Sequence, residues 1–203
     1  MTDVTILVAT YGDQAWQDLA YNRAIPSARQ QDVPVIYRHA TTLHEARNAC
    51  IHAARTPWVI HLDADDELEN GYVATLAAGS AMVRAPAVRY IQGQHAQPPR
   101  VPTVWSHTHA CTGACLIYGN WIIVGAMANR QLLLDVGGWR DFIWSEDWDL
   151  WLRCHLSGAS IETIPQAIYR AHSRPGSRNR ASSQAERLEA HRAIARANGV
   201  PIP

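Results

Sequence analysis

The sequence predicts an α/β domain layered on a parallel sheet, and three observations carry that expectation. Val4 to Ala9 is apolar on both alternating faces, as a strand buried in the middle of a parallel sheet must be. Strand-like and helix-like patterns alternate through the first half of the chain, the arrangement that layers helices on a sheet. The run Asp63-Ala64-Asp65-Asp66 follows directly on the strand-like Trp58 to Leu62, and open α/β sheets bind ligands just beyond the carboxyl ends of their strands. A chain of 203 residues, 47% hydrophobic and 18% charged, has the core of one domain.

The elements follow in order. Thr10-Tyr11-Gly12 ends the first strand. Asp13 can cap a helix with Trp16, Leu19, Ala20 and Ala24 on its inner stripe, which Pro26 should kink or stop. Pro34 to Tyr37 reads as a second strand. Thr42 and Glu45 have capping-box spacing for a helix burying Leu43, Ala46, Cys50 and Ala53. A helix near Tyr72 to Ala78 and a strand at Ala87 to Gln92 precede a Pro- and His-rich loop. Cys115 to Ala126 reads as strand, and Gln131 to Val136 as a helix ended by Gly137-Gly138. Ser145 is placed to cap a helix opening with Glu146, Asp147 and Asp149, Ile161 to Tyr169 is the last strand, and Ser183 and Glu186 open a terminal helix. Three segments result: an α/β domain at 1–169, a flexible basic loop at 170–181 and a C-terminal helix at 182–203.

Composition excludes several functions. Eighteen basic and eighteen acidic residues cancel, so wholesale attraction to nucleic acid or anionic lipid is not the theme. Every basic residue is arginine, which rules out a lysine Schiff base and a phosphate-loop lysine. The longest apolar run, Trp121 to Ala128, falls far short of the ~20 residues of a membrane helix, so stable membrane insertion is not expected. Four cysteines, Cys50, Cys111, Cys115 and Cys154, do not make a disulfide framework, and a cytoplasmic setting is expected.

Four constellations could carry chemistry. Asp63 to Glu69 holds five carboxylates in seven residues. A solvated acidic turn is one reading; the other is Mg²⁺ or Mn²⁺ held jointly with a substrate diphosphate, which suits hard oxygen ligands with few protein donors. The acids of Trp144 to Asp149 complement a helix dipole, or provide a general base whose pKa the helix N-terminus lowers. His172 lies among Arg170, Arg174, Arg178 and Arg180. It is a filler beside a solvated basic tail, or a neutral metal ligand beside arginines that neutralise a leaving diphosphate. His107, His109, Cys111 and Cys115 are four zinc donors, but their spacing fits no standard zinc knuckle.

Taken in order, these pieces resemble the family 2 glycosyltransferases. The matching stretches are Thr10-Tyr11, Glu45-Ala46-Arg47-Asn48, His61-Leu62-Asp63-Ala64-Asp65-Asp66, Asp135-Val136-Gly137-Gly138-Trp139, Glu146-Asp147-Trp148-Asp149 and Tyr169-Arg170-Ala171-His172. The resemblance implies a GT-A-like α/β/α sandwich with a mostly parallel central sheet, a nucleotide-diphosphate-sugar donor, a divalent cation (Mn²⁺ or Mg²⁺) and inversion at the anomeric carbon. It identifies Asp63-Ala64-Asp65 with the DxD motif, with Asp63 toward the donor and Asp65 on the metal with Asp63 or Asp66 nearby, since the adjacent Asp66 leaves that register open by one. Asp147 becomes the general base, Glu146 its acceptor-positioning neighbour and His172 a metal ligand. Thr10, Tyr11 and Arg47 would line the nucleotide pocket, and Arg174 and Arg178 would close over the diphosphate. Gly125 and Ala126 would let the sugar approach the backbone, and Trp121, Trp139 and Trp144 are candidate acceptor platforms.

One departure from the family pattern is the absence of a second strand ending in Asp-Asp-Gly-Ser: Val35 to His39 passes almost directly to the next helix. The donor base is therefore not assigned, and the exposed sheet edge is one that a homodimer could cover. The alternatives are a nucleotidyltransferase acting on a sugar phosphate, for which Ala9 to Asp13 supplies no Gly-rich phosphate loop with a basic residue, and a degenerate transferase kept as a binding module. The acceptor is not identified.

Overall fold

One long run of buried residues sets the middle of the parallel half of the sheet. In the computed structural model, which describes residues 3–104, 111–173 and 183–201, β1 (Val4–Tyr11) is buried from Val4 to Thr10. It lies between β2 (Val35–Ala40) and β3 (Trp58–Asp63), parallel to both. Beyond β3 the sheet continues through β7 (Met127–Asn129), β5 (Val83–Gln92) and β8 (Ile161–Ser173) to β4 (Glu67–Leu68), with β6 (His95–Ala96) beside β5. The three parallel ladders, β1–β2, β1–β3 and β5–β8, are the long ones; β7 joins the two halves by short antiparallel ladders. The α/β expectation holds, with a mixed sheet.

The sheet has to curl. β4 follows β3 after three residues, yet three strands separate them in the sheet. The acidic turn at 64–66 therefore spans from the middle of the sheet to its far edge, where Glu67 pairs with Arg170 of β8. A register shift between Pro86 and Ala87 moves β8 forward, so that Ile91 pairs with His172, a bulge of the kind that re-aims side chains.

Helices cover the faces. α1 (Gln14–Leu19) and α2 (Ile25–Arg29) are joined by a π-helical segment, Ala20–Ala24. Pro26 therefore does not stop the helix: the wider π turn absorbs the missing N–H and the ring. Asp13 precedes α1 without capping it through its side chain. α3 (Leu43–Ala53) opens with the complete Thr42–Glu45 capping box and buries Ala46, Arg47, Cys50 and Ile51. α4 (Tyr72–Ala77) and α5 (Arg130–Asp135) are short. α6 (Glu146–Leu156) buries Trp148, Trp151 and Leu152, and α7 (Gln184–Asn198) follows its own Ser183–Glu186 capping box.

Two expectations are corrected. Cys115 to Ala126 is not a strand: a 3-10 turn, Gly113–Ile117, leads into irregular chain, and only Met127–Asn129 joins the sheet. Trp121, Ile122 and Val124 are buried all the same, and a core-lining loop has the apolar density of a strand without its hydrogen bonds. Of the basic loop expected at 170–181, Arg170 to Ser173 are paired residues of β8, and the rest lies outside the described residues. Among the described residues no helix is long and apolar enough to cross a membrane.

Candidate active site

Parallel pairing sets the carboxyl ends of β1 and β3 side by side, with Ala9 opposite Asp63. A cavity of ≈ 290 Å³ opens there, lined by Thr10, Tyr11, Trp16, Leu43, Arg47, Asp63, Ala64, Asp65, Asp66, Tyr90, His172 and their neighbours. Tyr11 stacks on Trp16 at 6.4 Å and 16°. The Thr10 hydroxyl is hydrogen-bonded to Tyr37 Oη (2.8 Å) and His39 Nδ1 (3.0 Å), both on β2. An apolar wall thus faces a row of carboxylates, and β2 contributes polar groups at its rim.

Arg47 ties the two ends of the site together. It is 2% exposed, donates from Nη2 to Asp63 (2.7 Å) and from Nη1 to Glu146 (3.1 Å), and lies over the Trp139 ring at 4.1 Å. Burial works against its charge, but Asp63 and Glu146 override it and hold the guanidinium above its ordinary pKa. Trp139 in turn donates through Nε1 to His61 Nε2 (3.1 Å). Burial, with Arg47 adding to it, keeps that imidazole well below its usual pKa and hence neutral. The Asn48 side chain pins Trp139 from both sides, donating to its carbonyl (2.9 Å) and accepting from its N–H (2.8 Å). Gly138 must be glycine for this: its φ is +66° and a Cβ would sit 2.3 Å from Asn48 Oδ1.

The acidic turn is not uniform. Asp66 accepts the His172 N–H (2.8 Å) and is hydrogen-bonded to the Tyr169 hydroxyl. Burial, then Asp65 and Asp63, push its carboxyl well above the usual range. The Asp65 carbonyl accepts from Arg23 (2.7 Å). His172 joins the cavity as expected, with Nε2 2.6 Å from Glu67; burial lowers its pKa despite Glu67, which leaves a neutral ring. Asp63, Asp65, Asp66 and His172 therefore line one cavity, although among the described residues no three His, Cys, Asp or Glu side chains are grouped so that they could hold a metal ion.

Asp147 lies outside the cavity lining and is reached through Arg47 and Glu146. Its Oδ1 accepts the Trp148 N–H (2.9 Å). Its position at a helix N-terminus predicts a lowered pKa; instead burial and the Glu146 charge raise it to about 7, against the pull of Arg47. Asp149 holds the helix in place: wholly buried, it accepts from Arg153 at 2.8 Å, and Arg153 also holds the Val136 and Gly138 carbonyls.

The remaining expectations divide. Trp121 and Trp139 are each 2% exposed and are core side chains, so neither presents a face for stacking; Trp144 is half-buried. Gly125 and Ala126 do not line the cavity. Gly125 is glycine because a Cβ would fall 2.2 Å from the Tyr169 ring, and its carbonyl accepts from Tyr72 (2.7 Å). Gly125→Ala should therefore lower stability by about 1–3 kcal/mol through overpacking, read as a shifted denaturant midpoint at unchanged slope. Arg174 and Arg178, and His107 and His109 of the zinc candidates, lie outside the described residues. Sequence reasoning missed Trp16, Leu43 and Tyr90 as lining residues. The helical pattern places Trp16 and Leu43 in helix interiors, and nothing near Tyr90 in the chain marks it.

Residues 58–187 match the family described as Glycosyl transferase family group 2, and residues 20–94 match Glycosyl transferase family 2. No curated protein sequence matches significantly. Among solved structures, S. aureus TarS 1-349 in complex with UDP-GlcNAc is similar at 16% identity and a TM-score of 0.69, covering 95% of this chain and 65% of that one. The UDP complex of TarS 1-349 gives a TM-score of 0.65 at the same identity, covering 95% and 64%. GalNAc-T7 with UDP, GalNAc and Mn2+ gives 0.61 at 12% identity, covering 95% and 47%. The chain thus spans just under two thirds of the TarS 1-349 chain.

Proposed function

The chain belongs to glycosyl transferase family group 2, and on that premise we propose that it moves a sugar, with inversion, from a nucleotide-diphosphate donor to an acceptor hydroxyl. The observation that carries this reading is the relay Asp63–Arg47–Glu146, whose central guanidinium is buried. It ties the cavity at the strand ends to the carboxylate Asp147 with its raised pKa. The solved relatives that hold UDP, UDP-GlcNAc or Mn2+ support a uridine nucleotide as the first donor to try.

Tyr11 and Trp16 offer aromatic surface to the donor base, while Thr10 is held in place by Tyr37 and His39. Asp63, neutralised in part by Arg47, faces the donor. The donor set of hard carboxylate oxygens and a neutral imidazole fits Mn²⁺ or Mg²⁺ shared with a diphosphate, on Asp65 and His172. Held there, such an ion would supply Lewis-acid assistance to departure of the diphosphate. Asp147 takes the acceptor proton at its carboxylate oxygen as the hydroxyl attacks the face of the anomeric carbon opposite the diphosphate. A base with a pKa near 7 is well matched to neutral pH.

The test is release of nucleoside diphosphate from a panel of nucleotide sugars, with and without Mn²⁺. Slow donor hydrolysis by the wild-type chain is expected, and Asp65→Ala should weaken donor binding in the presence of Mn²⁺ about tenfold or more but change little in its absence. No release from any donor counts against the transferase; equal effects of Asp65→Ala with and without the ion count against the metal.

A further inference from the structure

The residue that opens α6 is strained without being glycine. Ser145 sits at φ 57° and ψ 30°, in the left-handed region, which serine seldom occupies. A serine at this position ordinarily takes an extended conformation and gives its oxygen to an N–H two or three residues on. Thr42 and Ser183 do so elsewhere in this chain, accepting from Glu45 and Glu186. Ser145 makes no such bond. Its hydroxyl is instead hydrogen-bonded to Nε2 of His191 on α7, at 3.2 Å.

The consequence falls on Asp147. The Trp148 N–H, three residues beyond Ser145, is within reach of an ordinary cap. Here it is taken by Oδ1 of Asp147, at 2.9 Å. His191 is itself held firmly: its ring meets the edge of Trp148 at 4.8 Å. α7 is anchored by the buried Ile194 and Ala195 and by Asn198, which donates to Asp149 at 2.9 Å. Glu146 of the same helix, Arg47 of α3 and Asn120 of the loop after the 3-10 turn face the Asp147 carboxylate, whereas His191 acts on Ser145. Burial keeps the His191 ring below its ordinary pKa, so it serves as a neutral hydrogen-bonding partner.

We propose that His191 is a positioning residue for Asp147: by holding the Ser145 hydroxyl against the terminal helix, it prevents Ser145 from capping α6 and leaves the Trp148 N–H to fix the Asp147 carboxylate. The proposal rests on Asp147 as the proton acceptor, and its geometry can be tested separately from that role.

The experiment uses the full chain with His191→Ala, Ser145→Gly, Ser145→Thr and the His191→Ala/Ser145→Gly double variant. Two readouts are taken: transfer kinetics with the best donor found, and the pH titration of the Trp148 amide resonance by NMR. His191→Ala should lower kcat about tenfold, as displacement of a reacting group does, with donor KM unchanged. Ser145→Gly keeps the left-handed turn without a hydroxyl and should stay within about twofold of wild type. The double variant should recover what His191→Ala lost, which a merely structural role for His191 would not allow. Ser145→Thr retains the capping hydroxyl but disfavours the left-handed region, so it should reproduce the slow phenotype with His191 intact, even if His191→Ala fails to fold. The Trp148 amide should titrate with Asp147 in wild type, Ser145→Gly and the double variant, and lose that response in Ser145→Thr and His191→Ala. A double variant as slow as His191→Ala, or a Trp148 titration the same in Ser145→Thr as in wild type, overturns the proposal. A wild-type chain that releases nothing from any donor defeats the transferase reading, while the amide titrations still decide this one.

Discussion

Asp147→Asn should lower transfer by about 100-fold or more, the scale of a lost general base, while donor affinity should stay within about twofold. Asparagine keeps an acceptor oxygen for the Trp148 N–H, which Asp147 Oδ1 receives at 2.9 Å, so the start of α6 has no reason to move. What is lost is the proton acceptor. In the wild-type chain burial, then Glu146, raise the Asp147 carboxyl to about 7. Only the deprotonated form accepts a proton, so the rate rises with pH to about 7 and levels off above it. Glu146→Gln removes the repulsion that helps raise that pKa, and the acid limb should move to lower pH. Steady-state rates across pH 5 to 9, beside donor binding by calorimetry, check both. Transfer that survives in Asp147→Asn at its wild-type rate would remove the base from the mechanism.

The second large effect is on stability. Arg47→Met takes away the guanidinium that donates to Glu146, whose side chain is 8% exposed. Breaking a buried pair from one side costs about 3–5 kcal/mol. Asp63, with 36% of its side chain exposed, can turn to water and adds little. For a chain of this size the loss corresponds to a Tm lower by roughly 10 °C. The Arg47→Met/Glu146→Gln double variant should regain much of it, because the buried side chain that loses the guanidinium is then neutral. Losing Arg47 also removes the pull that lowers the Asp147 pKa, so any residual activity should need higher pH. A melting shift of only a degree or two in Arg47→Met would show that the Glu146 carboxylate does not depend on this guanidinium.

Both predictions turn on residues that the sequence marks and on properties that it does not. Asp63, Asp65 and His172 are legible from motif and strand position, and the curled sheet brings them to one cavity. Arg47 is legible as a candidate, but its reach to Glu146, 99 positions away, is not. The aromatic candidates show the limit most clearly. Trp121, Trp139 and Trp144 look alike in the chain, yet the first two are core side chains and Trp139 serves as the floor under Arg47. Gly125 suggests close approach, and the partner is Tyr169. The irregular chain before β7 has the pattern of a strand because apolar density reports burial and is silent on pairing.

By itself the order of residues determined the layered α/β class, the helix starts at Thr42 and Ser183, and the positions of the acids at strand and helix ends. These depend on neighbours within one or two turns of chain, where periodicity and capping act. The tertiary structure alone decided that the Asp147 carboxyl has a higher pKa than a helix start would give it, that Arg47 couples two distant acids, and that Ser145 turns to His191. Burial and charge proximity arise between segments far apart in the chain, and no local pattern records which of them will meet.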